Sequence, residues 1–121
     1  GPVQGLFRET STDVTLHGVD IPKGSTINIR YASANLDDSV FDEPRKLDLE
    51  RTNSRQHLAF GFGVHYCMGA PLARRELFFS FKTLVDRIDD MWFLDGKNDF
   101  RHHPNFCLRA LRELHIGFTP K

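Results

Sequence analysis

The segment from Phe60 to Gly69 constrains the fold of this chain more than any other. It is apolar and aromatic, and Gly61 and Gly63 interrupt it. Because glycine allows bends and close approaches that other residues resist, this pattern predicts a tight loop that can lie against a flat ligand. Pro71 follows, at a position where the first turn of a helix tolerates proline. The pattern therefore predicts a loop that ends at a helix N-terminus.

One long helix is predicted over 70–89. Its N-terminus would present unpaired N–H groups and the positive end of the helix dipole. Backbone N–H groups from Met68 onward could then stabilise negative charge on the sulfur of Cys67, and His65 could donate to an acidic group at a ligand's edge. The apolar face is predicted to consist of Ala73, Leu77, Phe81, Leu84 and Ile88, with Arg74, Arg75, Lys82 and Asp86 available for the other face.

Taken by itself, Cys67 is open to several interpretations. A cysteine before a helix is often a small buried apolar residue. It can also be a nucleophile, although its nearest base, His65, is only two residues away and nothing in the sequence orients it. A zinc site fits less well, because there is no Cys-x-x-Cys pair. A thiolate ligand for a metal remains open beside these alternatives.

The N-terminal part of the chain predicts β structure from Asp13 to Tyr31. Apolar and polar residues alternate in two runs, 14–16 and 27–31. Pro22-Lys23-Gly24 lies between them and has the composition of a turn, so a hairpin is expected.

Shorter elements are predicted elsewhere. A short helical segment is expected over 33–36, because Ser33 and Asn35 are capping types. The polar stretch 37–56, broken by Pro44, predicts a long irregular loop, and such loops are often functional. A turn at 95–98 and a terminal strand over 114–118 complete the prediction.

Composition limits the classes of function. Sixteen basic residues balance sixteen acidic ones, which gives no support for a nucleic-acid or anionic-membrane partner. No apolar run approaches the roughly 20 residues of a membrane span, so a soluble protein is expected. Two cysteines are few for a disulfide scaffold and favour the cytoplasm. Eleven phenylalanines predict an aromatic core or an apolar wall for a large flat ligand.

Residues 60–69 form the pattern Phe-Gly-x-Gly-x-His-x-Cys-x-Gly. This pattern resembles the haem-binding signature of the cytochromes P450 at every diagnostic position, and the longer run 57–74 is similar to the soluble bacterial branch. The resemblance implies haem b as cofactor and Cys67 as the thiolate ligand of its iron and as the catalytic centre. In that family the electron-rich sulfur favours cleavage of the O–O bond.

The resemblance extends over the chain and implies further roles. Arg8 and His65 would bind the haem propionates, and Phe60 and Met68 would pack beside the sulfur and the porphyrin. The full set of haem-binding positions is Arg8, Phe60, Gly61, Gly63, His65, Cys67, Met68, Gly69 and Ala73. The implied substrate-pocket positions are Val3, Gln4, Gly5, Leu6, Phe106, Cys107 and Leu108.

The fold implied is an α+β fragment of the mainly-α cytochrome P450 fold, the C-terminal part of one domain. Its expected parts are a β-rich region (1–31), a meander (37–57), a haem-binding loop (58–69), the helix (70–89) and terminal β structure (100–119). Arg51 matches the meander arginine that pairs with a helix elsewhere in the family, or is a solvated surface residue. Leu36 replaces an arginine usual in the family, which affects local ion pairing. The family's Glu-x-x-Arg motif and oxygen-activating helix are not in this sequence.

Two functions are therefore expected as alternatives. The first is a haem-thiolate monooxygenase that takes electrons from a ferredoxin or flavoprotein and oxygenates a small apolar substrate. Arg74 and Arg75 would lie near the docking side for an acidic redox partner, or on a solvated helix face. The second is an inactive fragment without haem that self-associates or binds a protein. The 121 residues alone are expected to be inactive.

Overall fold

A computed structural model describes all of residues 1–121. They form two compact units, each with its own contacts. The first unit comprises 1–59 together with 105–109, and the second comprises 60–104 together with 110–121. The architecture is α+β, as predicted, with several short strands and one long helix.

The first unit contains two antiparallel strand pairs. Strands β2 (Val14–Leu16) and β3 (Val19–Ile21) pair with each other, and β1 (Leu6–Glu9) pairs with β4 (Thr26–Ile29). The hairpin turn is His17-Gly18, where both residues have positive φ, 47° and 79°. A two-residue turn of that kind matches the twist of the flanking strands.

The predicted turn at Pro22-Lys23-Gly24 is present but does not join paired strands. The Ser25 N–H donates to the Pro22 carbonyl at 3.2 Å, and Gly24 has a φ of 81°. The buried Thr10 hydroxyl donates to the same carbonyl at 2.7 Å and accepts the Ser25 N–H at 2.9 Å. The turn therefore connects β3, of the β2–β3 pair, to β4, of the β1–β4 pair. The prediction of one hairpin around this turn was wrong.

The short helix α1 covers Tyr31–Ala34, two residues before its predicted position. Its N-cap is Arg30, and no side chain caps it, so Ser33 does not cap this helix. Asn35 is the C-cap instead, and its Oδ1 accepts the Leu58 N–H at 2.7 Å. The amide side chain thus joins the end of α1 to the end of the following loop.

The loop over 37–56 is irregular, as predicted, apart from a short 3-10 turn at Ser54–Gln56. The Arg51 guanidinium donates to the carbonyls of Asp42, at 2.7 Å, and Glu43, at 3.2 Å. The Asn53 side chain donates to the Val40 carbonyl at 2.7 Å. These bonds flank Phe41, which is only 6% exposed. Arg51 is half-buried, and its guanidinium is hydrogen-bonded within its own loop. It is therefore not a freely solvated surface side chain.

The second unit is organised around helix α2 (Ala70–Arg87). Strand β5 (Ile88–Phe93) follows it directly and pairs antiparallel with β6 (Ile116–Pro120). The predicted helix was two residues too long, because Ile88 has the extended φ and ψ of a strand, −117° and 128°. β5 was not predicted, and β6 begins two residues later than expected. The turn after β5 is present, and Gly96 has a φ of 66°.

Little of the apolar surface is buried within either unit. Gly5, Thr10, Phe41 and Ala70 are the buried residues. Of the eleven phenylalanines, Phe41 alone is buried, so the aromatic core predicted from composition is not formed. The apolar face of α2 is present but uncovered. No helix in the chain combines the length and hydropathy needed to cross a bilayer.

Candidate functional site

The loop before α2 is closed by a backbone hydrogen bond. The Cys67 N–H donates to the Phe60 carbonyl at 2.9 Å, and inside the loop the Tyr66 N–H donates to Gly63 at 3.0 Å. Gly61 and Gly63 have φ values of 72° and 67°, in the left-handed region that favours glycine. The two glycines thus let the chain turn back so that Cys67 returns to Phe60.

Cys67 lies next to the N-terminus of α2, as predicted. Its carbonyl accepts the Ala70 N–H at 3.2 Å, and the carbonyl of Gly69, the N-cap, accepts the Ala73 N–H at 2.9 Å. Pro71 occupies the first turn, and Ala70 is fully buried. The Cys67 backbone is therefore hydrogen-bonded to Ala70, the first residue of α2.

The thiol of Cys67 is exposed, which excludes the interpretation of a small buried apolar residue within this unit. Apolar side chains of the same segment are also exposed: Phe62 is 84%, Val64 98% and Met68 97% accessible. A Cβ placed on Gly69 would lie 3.7 Å from Sγ, so a side chain there would occupy space beside the sulfur. The thiol is therefore accessible, in a segment whose apolar side chains are also accessible.

The donor set around Cys67 limits what kind of metal it could bind. Nowhere does the chain bring together three or more His, Cys, Asp or Glu side chains that could hold a metal ion. A bare ion needs several protein ligands, whereas the iron of haem has four of its positions filled by the porphyrin and needs one axial residue. A single accessible thiol in a segment with exposed apolar side chains fits a haem.

The Phe60 ring makes contacts that the sequence did not indicate. The Cζ atom of Arg74 lies 4.8 Å from the ring centroid, within the range of a cation–π interaction. The Tyr66 ring lies 6.4 Å away at an interplanar angle of 57°. Periodicity relates positions within one helix or strand, so no sequence signal relates a loop residue to one on a later helix.

The second unit contains all but one of the predicted haem-binding positions. His65 is exposed at the end of the 3-10 turn Gly63–His65, and Ala73 is half-buried in α2. The exception is Arg8, which belongs to the first unit. Arg8 is half-buried on β1, and its guanidinium donates to the Phe7 carbonyl at 2.8 Å.

The two predicted substrate segments lie side by side in the first unit. Val3 and Leu108 form an antiparallel bridge, and the Gln4 N–H donates to the Cys107 carbonyl at 2.6 Å. The Asn105 side chain accepts the N–H groups of Cys107, at 2.9 Å, and Leu108, at 2.7 Å, which shapes the turn there. The other positions differ in exposure: Gly5 is buried, and Leu6 and Phe106 are exposed.

Comparison with known proteins agrees with this arrangement. The family model described as Cytochrome P450 matches residues 1–91. The chain is 34% identical over 119 residues to a steroid C26-monooxygenase of Mycobacterium tuberculosis, covering 98% of this chain and 32% of the relative. It is 40% identical over 112 residues to a cytochrome P450 of Bacillus subtilis, covering 93% of this chain and 27% of that protein.

The solved structure of substrate-free cytochrome P450 CYP150A6 from Mycobacterium marinum superposes with a TM-score of 0.94 at 36% identity. The match covers 98% of this chain and 31% of that one. The chain thus spans between about a quarter and a third of the length of the first curated relatives it matches. The family match, the relatives and the fold together show that this chain belongs to the cytochrome P450 family, whose members are monooxygenases that bind haem b.

Proposed function

We propose that this chain supplies the thiolate ligand and the surrounding loop of a haem-thiolate monooxygenase. The observation that carries the proposal is the exposed Cys67 thiol, which lies where a closed glycine-containing loop meets the N-terminus of α2. Helix N-termini stabilise negative charge, so this position suits a thiolate. When bound, the haem would supply the iron at which dioxygen is activated.

The haem-binding positions have different roles in this proposal. Cys67 would hold the haem iron through its sulfur, and the haem would supply the oxygen-activating chemistry. Phe60 and Met68 would pack beside the sulfur and the porphyrin, and His65 would donate to a propionate. The backbone at Gly61, Gly63, Gly69 and Ala73 leaves room for the flat ligand. Arg8 is proposed as a further residue that would bind a propionate.

A small apolar substrate is proposed to contact the first unit. Val3, Gln4, Gly5 and Leu6 would provide one side of the pocket, and Phe106, Cys107 and Leu108 the other. The bridge between Val3 and Leu108 supports this assignment, because it brings the two segments into one surface. Exposed Leu6 and Phe106 would supply apolar contact area.

The whole protein is proposed to receive electrons from a ferredoxin or a flavoprotein. Arg74 and Arg75 on α2 are exposed cations that an acidic partner could contact. We further propose that residues 1–121 form the C-terminal part of one cytochrome P450 domain, and that these residues alone do not oxygenate substrate.

Haem titration of the purified chain tests the central assignment. The chain should bind haem, and after reduction and exposure to carbon monoxide it should give the Soret shift characteristic of thiolate-bound haem. Cys67→Ser should abolish that shift. Cys107→Ser is the matched control, because it removes the chain's only other thiol and should leave the spectrum unchanged.

One result would contradict the proposal, and a second would restrict it to the whole protein. A thiolate spectrum that persists in Cys67→Ser would assign the ligand to another residue. A chain that takes up no haem would retain its family membership but would not act as a haem-binding unit in isolation.

A second candidate function, self-association without haem, is favoured by the uncovered helix. Leu77 and Phe81 on α2 are 54% and 64% exposed, and contiguous apolar surface of this kind commonly marks an interface. Sedimentation of the haem-free chain should then show an oligomer that Phe81→Ser dissociates. Val19→Ser is the control, because Val19 is exposed to a similar extent, at 61%, but lies on β3. A monomer at all concentrations would reject this candidate.

A further inference from the structure

We infer that Arg74 is a positioning residue for the Cys67 loop and acts through the ring of Phe60. The inference deepens the proposed function, since it concerns how the thiolate ligand is held. It begins with the contact between the Arg74 guanidinium and the Phe60 ring, with Cζ 4.8 Å from the ring centroid.

The loop end at Cys67 is held in two ways. Its N–H donates to the Phe60 carbonyl, and its carbonyl accepts the Ala70 N–H at the start of α2. The loop beginning, at Phe60, has no covalent route to α2 except through the loop itself. Arg74 supplies a direct connection, because it lies on α2 and its guanidinium packs on the Phe60 ring.

These contacts form a closed triangle of Phe60, Cys67 and the first turns of α2. One side is the Phe60–Cys67 backbone bond, the second is the chain from Cys67 into the helix, and the third is the Arg74–Phe60 stack. Loss of the third side would remove the direct side-chain contact between Phe60 and α2 and would leave the start of the loop less constrained. The carbonyl that accepts the Cys67 N–H would be less constrained as well, and the backbone beside the sulfur would become less ordered.

Arg75 provides a matched control for charge. It is adjacent to Arg74, has the same charge and is also exposed. Because successive residues of an α-helix are rotated by about 100°, its side chain leaves the helix in a different direction. A general electrostatic effect of the proximal cations would therefore appear in both variants, whereas positioning through Phe60 would appear in one.

The first test uses the haem-free chain and measures hydrogen exchange of the Cys67 amide by NMR. Arg74→Gln should accelerate exchange by about two- to fivefold, the change that corresponds to the loss of an exposed cation–π contact. Arg75→Gln should leave the rate unchanged. In a Phe60→Leu background, Arg74→Gln should have no further effect, because the ring that it stacks on is absent.

The second test measures the ferric–ferrous midpoint potential of the haem-loaded variants. These variants are Arg74→Gln, Arg75→Gln, Phe60→Leu and the double variant of Arg74→Gln with Phe60→Leu. We expect a shift for Arg74→Gln that disappears in the Phe60→Leu background. Equal shifts in both backgrounds, or equal effects of Arg74→Gln and Arg75→Gln, would overturn the inference in favour of simple charge. An unprotected Cys67 amide in the parent chain would also overturn it, since the bond on which it depends would not form. Failure of the proposed function is distinguishable, because it appears as the loss of the thiolate spectrum in the parent chain.

Discussion

A Cβ atom added to Gly69 would lie 3.7 Å from the sulfur of Cys67, in ordinary van der Waals contact. The backbone at Gly69 has φ −81° and ψ −2°, a conformation that any residue can adopt. The absence of a side chain at this position is therefore not required by backbone geometry. It leaves the space beside the sulfur open, which is where a flat cofactor would have to approach.

Gly69→Ala should accordingly separate haem binding from folding. We expect a loss of stability of at most about 0.5–1 kcal/mol, since alanine is a somewhat poorer N-cap than glycine. Haem affinity should fall more strongly, because the added methyl group occupies space at the sulfur. Urea unfolding of the haem-free chain and haem titration measure the two effects. Unchanged haem affinity would show that the ligand does not approach from this side.

Gly63→Ala should weaken the loop by a different mechanism. No atom lies within 4 Å of a Cβ at Gly63, but its φ is 67°, so alanine would be strained without a clash. A cost of about 1–2 kcal/mol is expected for a left-handed alanine. Haem affinity should fall with it, as measured by titration.

Gly18→Ala is the control for backbone strain. Gly18 also has a positive φ, 79°, with no atom within 4 Å of a Cβ, but it lies in the β2–β3 turn. It should lose similar stability and keep the same haem affinity. Similar losses of affinity in both variants would indicate a general effect of destabilisation.

Features with a strong local cause were predictable from the sequence. Pro71 and the apolar spacing after it located α2, and the glycines around Phe60 located the loop. Strand pairing was harder to predict from the sequence, because alternation identifies the strands but does not show which strands pair with each other. Two nested strand pairs and a single hairpin would show the same alternation of apolar and polar residues. The tight turn at His17-Gly18, where both residues have positive φ, distinguishes the two arrangements.

Contacts between distant positions account for most of what the sequence did not indicate. The stack of Arg74 on Phe60 and the bond from Leu58 to Asn35 join residues with no common periodicity. Burial was also not predictable from composition. The phenylalanines implied an aromatic core, but those on α2 are exposed, because no other element of the second unit covers them.

Close packing at two glycines predicts losses of stability of different size for alanine. At Gly5 a Cβ would lie 2.6 Å from the Ile29 carbonyl oxygen, so β1 and β4 would have to separate. We expect Gly5→Ala to cost about 1–3 kcal/mol by overpacking. At Gly117 the obstacle is the indole of Trp92, also at 2.6 Å, but this side chain is half-exposed and can rotate away.

Gly117→Ala should therefore cost less than Gly5→Ala. Urea unfolding monitored by circular dichroism compares the two variants, and Trp92 fluorescence should change only in Gly117→Ala. A larger loss of stability in Gly117→Ala would mean that the indole is held more rigidly than its exposure indicates.

Asp37 should titrate at lower pH than an ordinary aspartate because of Ser39. The Ser39 hydroxyl, at 2.6 Å, and then the Ser39 N–H, at 3.0 Å, donate to its carboxylate and lower its pKa below 3.8. Because this pKa is lower in the folded state, the stabilisation is present above the unfolded pKa and is lost as pH falls through the folded value. Ser39→Ala should raise the pKa of Asp37 toward 3.8 but leave Asp99 unchanged, because hydrogen bonds from Arg101 lower the pKa of that carboxyl. NMR titration of the two carboxyl groups measures this, and an unchanged Asp37 in Ser39→Ala would contradict the role of the hydroxyl.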